Sequence, residues 1–251
     1  MEIIDNRALL LKVRNPDRIT AVIPKSKVLE DDGQVAQVLV NWDLEEAIVL
    51  KNLRIKDVPS PINATYKWPG LFKPFEHQKT TASFLTMHKR SFCFNEQGTG
   101  KTASVIWAAD YLMTKGIIKR VLVICPLSIM DSAWRNDLFK FAMHRRVDVA
   151  YGKPEKRREI IASDAEFVVI NYDGVEIVAS DIMAGGFDLI VVDEANAYKN
   201  PSTKRWKVLN NLIKPHTWLW MLTGTPASQS PVDAYGIAKL VNPEGVPRFY
   251  G

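Results

Sequence analysis

Four stretches of this chain are apolar at every position: Val121–Cys125, Phe167–Ile170, Leu189–Val192 and Leu219–Leu222. A strand with one wet face alternates apolar and polar residues, so runs this uniform require burial on both faces. A sheet covered by helices on each side provides it, and helix-forming segments do stand between the runs. The pattern predicts helices over Phe75–His88, Lys101–Lys115, Ile129–Phe141, Pro154–Ser163, Pro201–Ile213 and Pro231–Leu240, with further strands at Ser91–Phe94 and Val147–Ala150. Ser128, Asn200 and Ser230 are the expected N-caps. Strands alternating with helices imply right-handed crossovers, hence an α/β fold with a mostly parallel sheet. In such sheets ligands gather beyond the carboxyl ends of the strands.

Residues 1–57 read differently. Ala8–Val13, Ile19–Ile23 and Val35–Val40 are short β-type runs, with Asp31-Asp32-Gly33 as a turn signal between the last two. This stretch is expected to be a small β-rich accessory module, with a role in recognising protein or DNA structure. Pro59, Pro61, Pro69 and Pro74 then make 58–74 an irregular linker, and 75–251 the α/β lobe.

Composition narrows the function classes. With 251 residues, 47% of them hydrophobic, the chain can build one large α/β domain and a small extra module. Lys and Arg exceed the acids by 33 to 28, a balance of +5 that permits nucleic-acid binding without demanding it. Cys93 and Cys125 each lie inside an apolar run and read as core residues in a reducing compartment. The four His residues are scattered and suggest no metal site. No basic-then-apolar leader opens the chain and no run approaches membrane-spanning length, so an intracellular protein without a membrane partner is expected.

The chemistry concentrates in two places. After Phe92-Cys93-Phe94 the chain turns through Asn95-Glu96-Gln97-Gly98-Thr99-Gly100-Lys101-Thr102 into a helix. Strand, glycine loop and helix N-terminus suit a nucleotide phosphate: the glycines let backbone N–H groups face inward, and the helix adds a positive dipole end. Gln97, Gly98, Thr99 and Gly100 would line the phosphates, Lys101 would sit on the β- and γ-phosphates, and the Thr102 hydroxyl on Mg²⁺. The usual pattern opens on Gly where this chain has Asn95, and a helix start that uses glycines only to turn is the competing reading. Further on, Asp188–Val192 ends in Asp193-Glu194, two carboxylates at the edge of a core. Beside a phosphate loop, Asp193 would hold Mg²⁺ and Glu194 would orient and deprotonate the attacking water. Lys101-Thr102 and Asp193-Glu194 are expected to lie on neighbouring parallel strands.

These motifs and their order resemble the first RecA-like lobe of a superfamily-two helicase-like ATPase, nearest the Snf-type double-stranded DNA translocases. The resemblance covers about 71–243. Phe75-Glu76-His77-Gln78 resembles the Q motif, which assigns Gln78 to the adenine edge. Pro126-Leu127-Ser128, with Trp134 downstream, resembles motif Ia, and Ile170-Asn171-Tyr172 motif Ib. Asp193-Glu194-Ala195-Asn196, running on to Lys199, is similar to the Asp-Glu-Ala-His box, and Leu222-Thr223-Gly224-Thr225-Pro226 matches motif III, with Gln229 beyond it. The resemblance implies ATP and Mg²⁺ as ligands and duplex DNA as partner, touched by Pro126, Leu127, Ser128, Asn171, Tyr172, Lys199 and Thr225. It implies that Asn196, Thr223 and Thr225 couple the γ-phosphate to the rest of the lobe. Asn196 stands where the family has His; it can hydrogen-bond but cannot change charge. Only eight residues follow Pro243, so the family's second RecA-like lobe, with its arginine finger, is expected in cis or in trans from elsewhere. Such fingers are worth about 10³ to 10⁵ in turnover, which makes this lobe a weak ATPase alone. A nucleotide-responsive DNA-binding module that does not hydrolyse ATP is the alternative.

Three basic clusters, Arg145-Arg146, Lys153–Arg158 and Lys204-Arg205 with Lys207, fit DNA contact or an ordinary solvated face equally. Trp134, Trp206, Trp218 and Trp220 are expected in the core.

Overall fold

The computed structural model describes residues 1–96, 98–224 and 233–247. They form two compact units, Met1–Lys67 and Trp68–Gly251. The boundary falls inside the proline-punctuated stretch, where Ile62–Thr65 (α3) forms one helical turn after Pro61.

In the first unit, strands β1 (Glu2–Ile4), β2 (Ala8–Val13), β3 (Lys27–Asp31) and β4 (Ala36–Asn41) pair antiparallel in the order β1-β2-β4-β3. Alternate residues of the two inner strands, Leu9 and Leu11 with Val38 and Val40, enter a core shared with Ile19, Ile23, Trp42 and Leu50. Helix α2 (Leu44–Asn52) adds Leu50; its N-cap Asp43 accepts from the Leu44 N–H. The expected strand Ile19–Ile23 is absent. Pro16 instead opens a helical turn, α1 (Asp17–Thr20), and Ile19 and Ile23, four apart, share its buried face. The Asp31-Asp32-Gly33 turn therefore joins β3 to β4, with Gly33 at φ 82° and the Asp32 carboxylate accepting from Gln34 and Val35 N–H groups. Those backbone donors hold the exposed Asp32 carboxyl below its usual range.

The second unit carries six strands: β5 (Arg90–Cys93), β6 (Val121–Cys125), β7 (Val147–Val149), β8 (Phe167–Asn171), β9 (Leu189–Val192) and β10 (Trp218–Leu222). All pair in parallel, in the order β5-β10-β9-β6-β8-β7. Every residue of β6, β8, β9 and β10 is buried, as their uniform apolarity requires. Helices α4 (Glu76–Thr86), α5 (Lys101–Thr114) and α6 (Asn136–Phe141) pack on one another. A second group comprises α7 (Pro154–Ala162), α8 (Tyr172–Ile177), α9 (Ala179–Ala184), α10 (Lys204–Leu212) and α11 (Asp233–Val241). From it Ile161, Val175, Ile182, Leu209 and Ile237 meet Leu122, Ile124, Val168 and Ile190 of the sheet. The result is the α/β, RecA-like parallel sheet flanked by helices. Among the described residues no helix is long and apolar enough to cross a membrane.

Two expected helix starts are displaced. The segment after β6 runs as a 3-10 turn at Leu127–Ile129 and a π-helical turn at Met130–Arg135 before α6, so Ser128 lies within the first turn and caps nothing. Met130 and Trp134, four residues apart in this stretch, are both fully buried. Asn200 spends its side chain on a local turn, accepting from the Ser202 N–H and hydroxyl, and the helix begins instead at α10 behind Thr203, whose hydroxyl oxygen accepts from the Trp206 N–H. Ser230 lies outside the described residues.

Candidate functional site

The site is built on the carboxyl edge of the parallel sheet. After β5, Gly98 and Gly100 adopt φ 80° and 74°, left-handed conformations that glycine enters without penalty. At Gly100 a Cβ would lie 2.2 Å from Nε2 of Gln78, so any other residue would also displace the end of that side chain. Gln78, buried in the first turn of α4, binds this loop to its own helix start. Its Oε1 accepts from the Phe75 N–H at 2.9 Å and its Nε2 donates to the Thr99 carbonyl at 3.5 Å. Asn95, the departure from the usual opening glycine, has a structural use: its amide donates to Thr81 Oγ1 at 2.8 Å and ties the loop to α4. Lys101 opens α5 and reaches back across the loop to the carbonyls of Asn95 and Glu96, at 2.8 and 3.1 Å. Thr102 is half-buried in the first turn of the same helix. Gln97 lies outside the described residues.

The two carboxylates follow β9. The expectation that they stand on a strand neighbouring the glycine-loop strand is corrected by the sheet order: β10 lies between β5 and β9. Two strand spacings amount to about 10 Å, and the motif III strand fills the gap, its Thr223 N–H bonding to the Cys93 carbonyl at 3.1 Å. Asp193 continues the edge, donating its N–H to Ile124. Its carboxylate is 8% exposed and accepts from the Trp134 indole N–H and from the Glu194 N–H, both at 2.9 Å. Burial raises the Asp193 pKa; the Trp134 and Glu194 donors and the positive charge of Lys101 oppose it without cancelling it. Burial also pushes the Cys93 and Cys125 thiols up, which suits core residues and not nucleophiles.

Glu194 is half-buried with φ 49° and ψ 56°, left-handed backbone for a non-glycine residue. Asn196 follows in a 3-10 turn, Ala195–Tyr198, and Thr223 is fully buried at the end of β10. Lys199 pairs with Asp233 at 3.3 Å.

Of the residues expected to face DNA, Leu127 and Ser128 are exposed and Pro126 half-buried, on the turn leaving β6. Asn171 and Tyr172 each turn a polar atom into the lobe. Oδ1 of Asn171 accepts from Arg157, a 6% exposed guanidinium that also donates to the carbonyls of Ala150 and Gly152. The Tyr172 hydroxyl donates to the carbonyl oxygen of Asp193 at 2.6 Å. Burial, then the nearby Asp193 charge, pushes that phenol up. Arg157 and Arg145 also leave the basic clusters, because Arg145 is held by Asp110 and Glu166 at 2.5 and 2.7 Å. Thr225 and Gln229 lie outside the described residues.

Sequence reasoning missed the bond from Trp134 to Asp193. The available signal was the ring itself, since a buried indole N–H demands an acceptor and the facing strand ends in a carboxylate. As a donor set, the buried Asp193 carboxylate and the Thr102 hydroxyl suit a hard cation such as Mg²⁺, which takes few protein ligands. The inward-turned glycine loop suits phosphate, so the residues fit both groups. Among the described residues, no group of three His, Cys, Asp or Glu gathers as a metal cage elsewhere.

The chain is similar to known proteins. The chain is 27% identical over 225 residues to a Bacillus subtilis protein described as the uncharacterized ATP-dependent helicase YqhH, covering 86% of this chain and 37% of the relative. It is 29% identical over 157 residues to the Gallus gallus DNA repair and recombination protein RAD54B, covering 59% of this chain and 17% of that protein. The chain thus spans well under half the length of these relatives. A solved structure of the Sulfolobus solfataricus SWI2/SNF2 ATPase core in complex with dsDNA matches with a TM-score of 0.63 and 28% identity, over 70% of this chain and 37% of that one. The model of the SNF2-related domain matches residues 77–248, well over half of the chain. With its parallel sheet, glycine loop and Asp-Glu edge, the protein belongs to the SNF2-related domain family, a helicase-like ATPase class.

Proposed function

We propose that the lobe binds Mg-ATP, positions it for hydrolysis and contacts the backbone of duplex DNA, working against a second RecA-like lobe in cis or in trans. The observation that carries this reading is that the glycine loop after β5 and the buried Asp193 carboxylate after β9 leave the same carboxyl edge of one parallel sheet, with only β10 between them. Gly98, Thr99 and Gly100, with Gln97, cradle the phosphates through backbone N–H groups, Lys101 neutralises the β- and γ-phosphates, and Gln78 reads the adenine edge by giving up its bonds to Phe75 and Thr99. Thr102 and Asp193 would hold Mg²⁺, which when bound would neutralise negative charge on the phosphates. Glu194 accepts a proton from the attacking water and orients it. Asn196 couples the γ-phosphate side to motif III, through Thr223 and Thr225.

Pro126, Leu127, Ser128, Lys199 and Thr225 are the proposed DNA contacts, to phosphates and not to bases. Asn171 and Tyr172 are left out because the Asn171 Oδ1 and the Tyr172 hydroxyl are committed inside the lobe. The test is phosphate release from ATP with and without duplex DNA, for this chain and for the chain mixed with a downstream polypeptide carrying a second lobe. DNA-stimulated release that rises when the second lobe is added is the expected result. Nucleotide and DNA binding with no release under either condition would favour a non-hydrolysing, nucleotide-responsive DNA-binding module.

Trp134 has a predictable part in this chemistry. Trp134→Phe keeps a buried ring but leaves one oxygen of Asp193 without its donor. Partners of metal ligands typically govern affinity by about 10- to 100-fold. The Mg²⁺ concentration for half-maximal turnover should rise by about that factor. An unchanged Mg²⁺ requirement would remove Trp134 from the site.

A further inference from the structure

The left-handed backbone at Glu194 has a visible holder. Asp5, Asn6, Arg54, Asp57 and Trp68 share its positive φ but lie outside the parallel sheet, whereas Glu194 follows directly on β9. A non-glycine residue stays in this region only where its surroundings enforce it. Here the Tyr172 hydroxyl donates to the Asp193 carbonyl at 2.6 Å, and its oxygen lies 3.3 Å from the Glu194 carbonyl, which also accepts from the Ala197 N–H at 3.1 Å.

Tyr172 is itself fixed. It is the first residue of α8, directly after β8. The Arg205 guanidinium lies 5.0 Å from its ring centre, and the Tyr198 ring meets it edge-on at 5.8 Å. Arg205 is in turn anchored, donating to Asp173 at 2.7 Å. The ring cannot swing away without giving up both contacts, so its hydroxyl is delivered to one place.

We propose that Tyr172 is a positioning residue for Glu194: its hydroxyl donates to the Asp193 carbonyl on the N-terminal side of the turn, with the Glu194 carbonyl close by, holds the left-handed turn, and so aims the Glu194 carboxylate. This rests on the reading of Glu194 as the base of an ATPase. It assigns Tyr172, which the family resemblance places at a DNA contact, to the catalytic edge instead. Tyr172 touches neither nucleotide nor water in this role and acts only through the Glu194 backbone.

Tyr172→Phe removes one oxygen and leaves the ring between Arg205 and Tyr198. Two measurements on the full chain test the proposal, with thermal melting as the control for folding. Amide hydrogen exchange without nucleotide should quicken about tenfold over residues 193–198 and stay within about twofold elsewhere. With duplex DNA and saturating Mg-ATP, kcat should fall about tenfold at an ATP affinity within about twofold of the parent, and the effect should vanish in a Glu194→Gln background. Unchanged exchange over 193–198, or an unchanged kcat in a parent that does turn ATP over, would overturn the proposal and leave the ATPase reading standing. An equal further loss in the Glu194→Gln background would likewise overturn it, because the hydroxyl would then be acting elsewhere. A parent chain that neither binds nor hydrolyses ATP would overturn the ATPase reading and this proposal with it.

Discussion

Lys101→Ala should cost at least about a hundredfold in kcat/KM for ATP, close to 3 kcal/mol of transition-state stabilisation, and should bring nucleotide binding near the limit of detection. The ammonium now bridges the Asn95 and Glu96 carbonyls at 2.8 and 3.1 Å, folded over the loop in which the proposed phosphates would lie. Its charge also opposes the rise in the Asp193 pKa, so its loss weakens both halves of the site. Lys101→Arg should not restore function, because a planar fork cannot replace a compact ammonium within a tight loop. Titration with a fluorescent ATP analogue, alongside phosphate release, measures both quantities. Affinity and turnover close to the parent's would take Lys101 out of the site.

Glu194→Gln should separate binding from chemistry. The substitution preserves shape and one acceptor oxygen but cannot take a proton. Nucleotide affinity should stay within about twofold, while turnover falls by about 10² to 10⁴, the usual worth of a positioned general base. The variant should therefore accumulate bound ATP, read by retention of labelled nucleotide against phosphate release. Normal turnover would deprive the proposed reaction of its base.

Much of the fold was legible because burial on both faces leaves a plain mark. The strands at 121–125 and 189–192 run between the residues that uniform apolarity predicts, and β8 and β10 differ by one residue at an end. The first unit was harder to read. The β-branched run Ile19–Ile23 has strand composition, but Pro16 and the four-residue spacing of two buried isoleucines make a helical turn. Strand β3 is exposed at every position, so it carries no hydrophobic pattern to read. Asn200-Pro201 looked like a helix start, and local side-chain bonding at Asn200 moved the start to Lys204.

At the site, the glycine loop and the Asp-Glu pair could be found from residue types, because their chemistry depends on those types. Their separation could not, since the place of β10 in the sheet depends on which strands pair. Trp134 and Tyr172 were hidden for a related reason. Each acts through a single long-range hydrogen bond, and 59 or 21 residues of separation leave no local periodicity.

The central claim is that Lys101 and Thr102 share one triphosphate and one cation with Asp193 and Glu194 across the intervening β10. A crystal structure with Mg²⁺ and a non-hydrolysable ATP analogue tests it most directly. The account predicts Lys101 Nζ on the β- and γ-phosphates, and Thr102 Oγ1 and the Asp193 carboxylate around the same cation, directly or through one water. A nucleotide held by the glycine loop, with its cation out of reach of Asp193 and its γ-phosphate out of reach of Glu194, would contradict it.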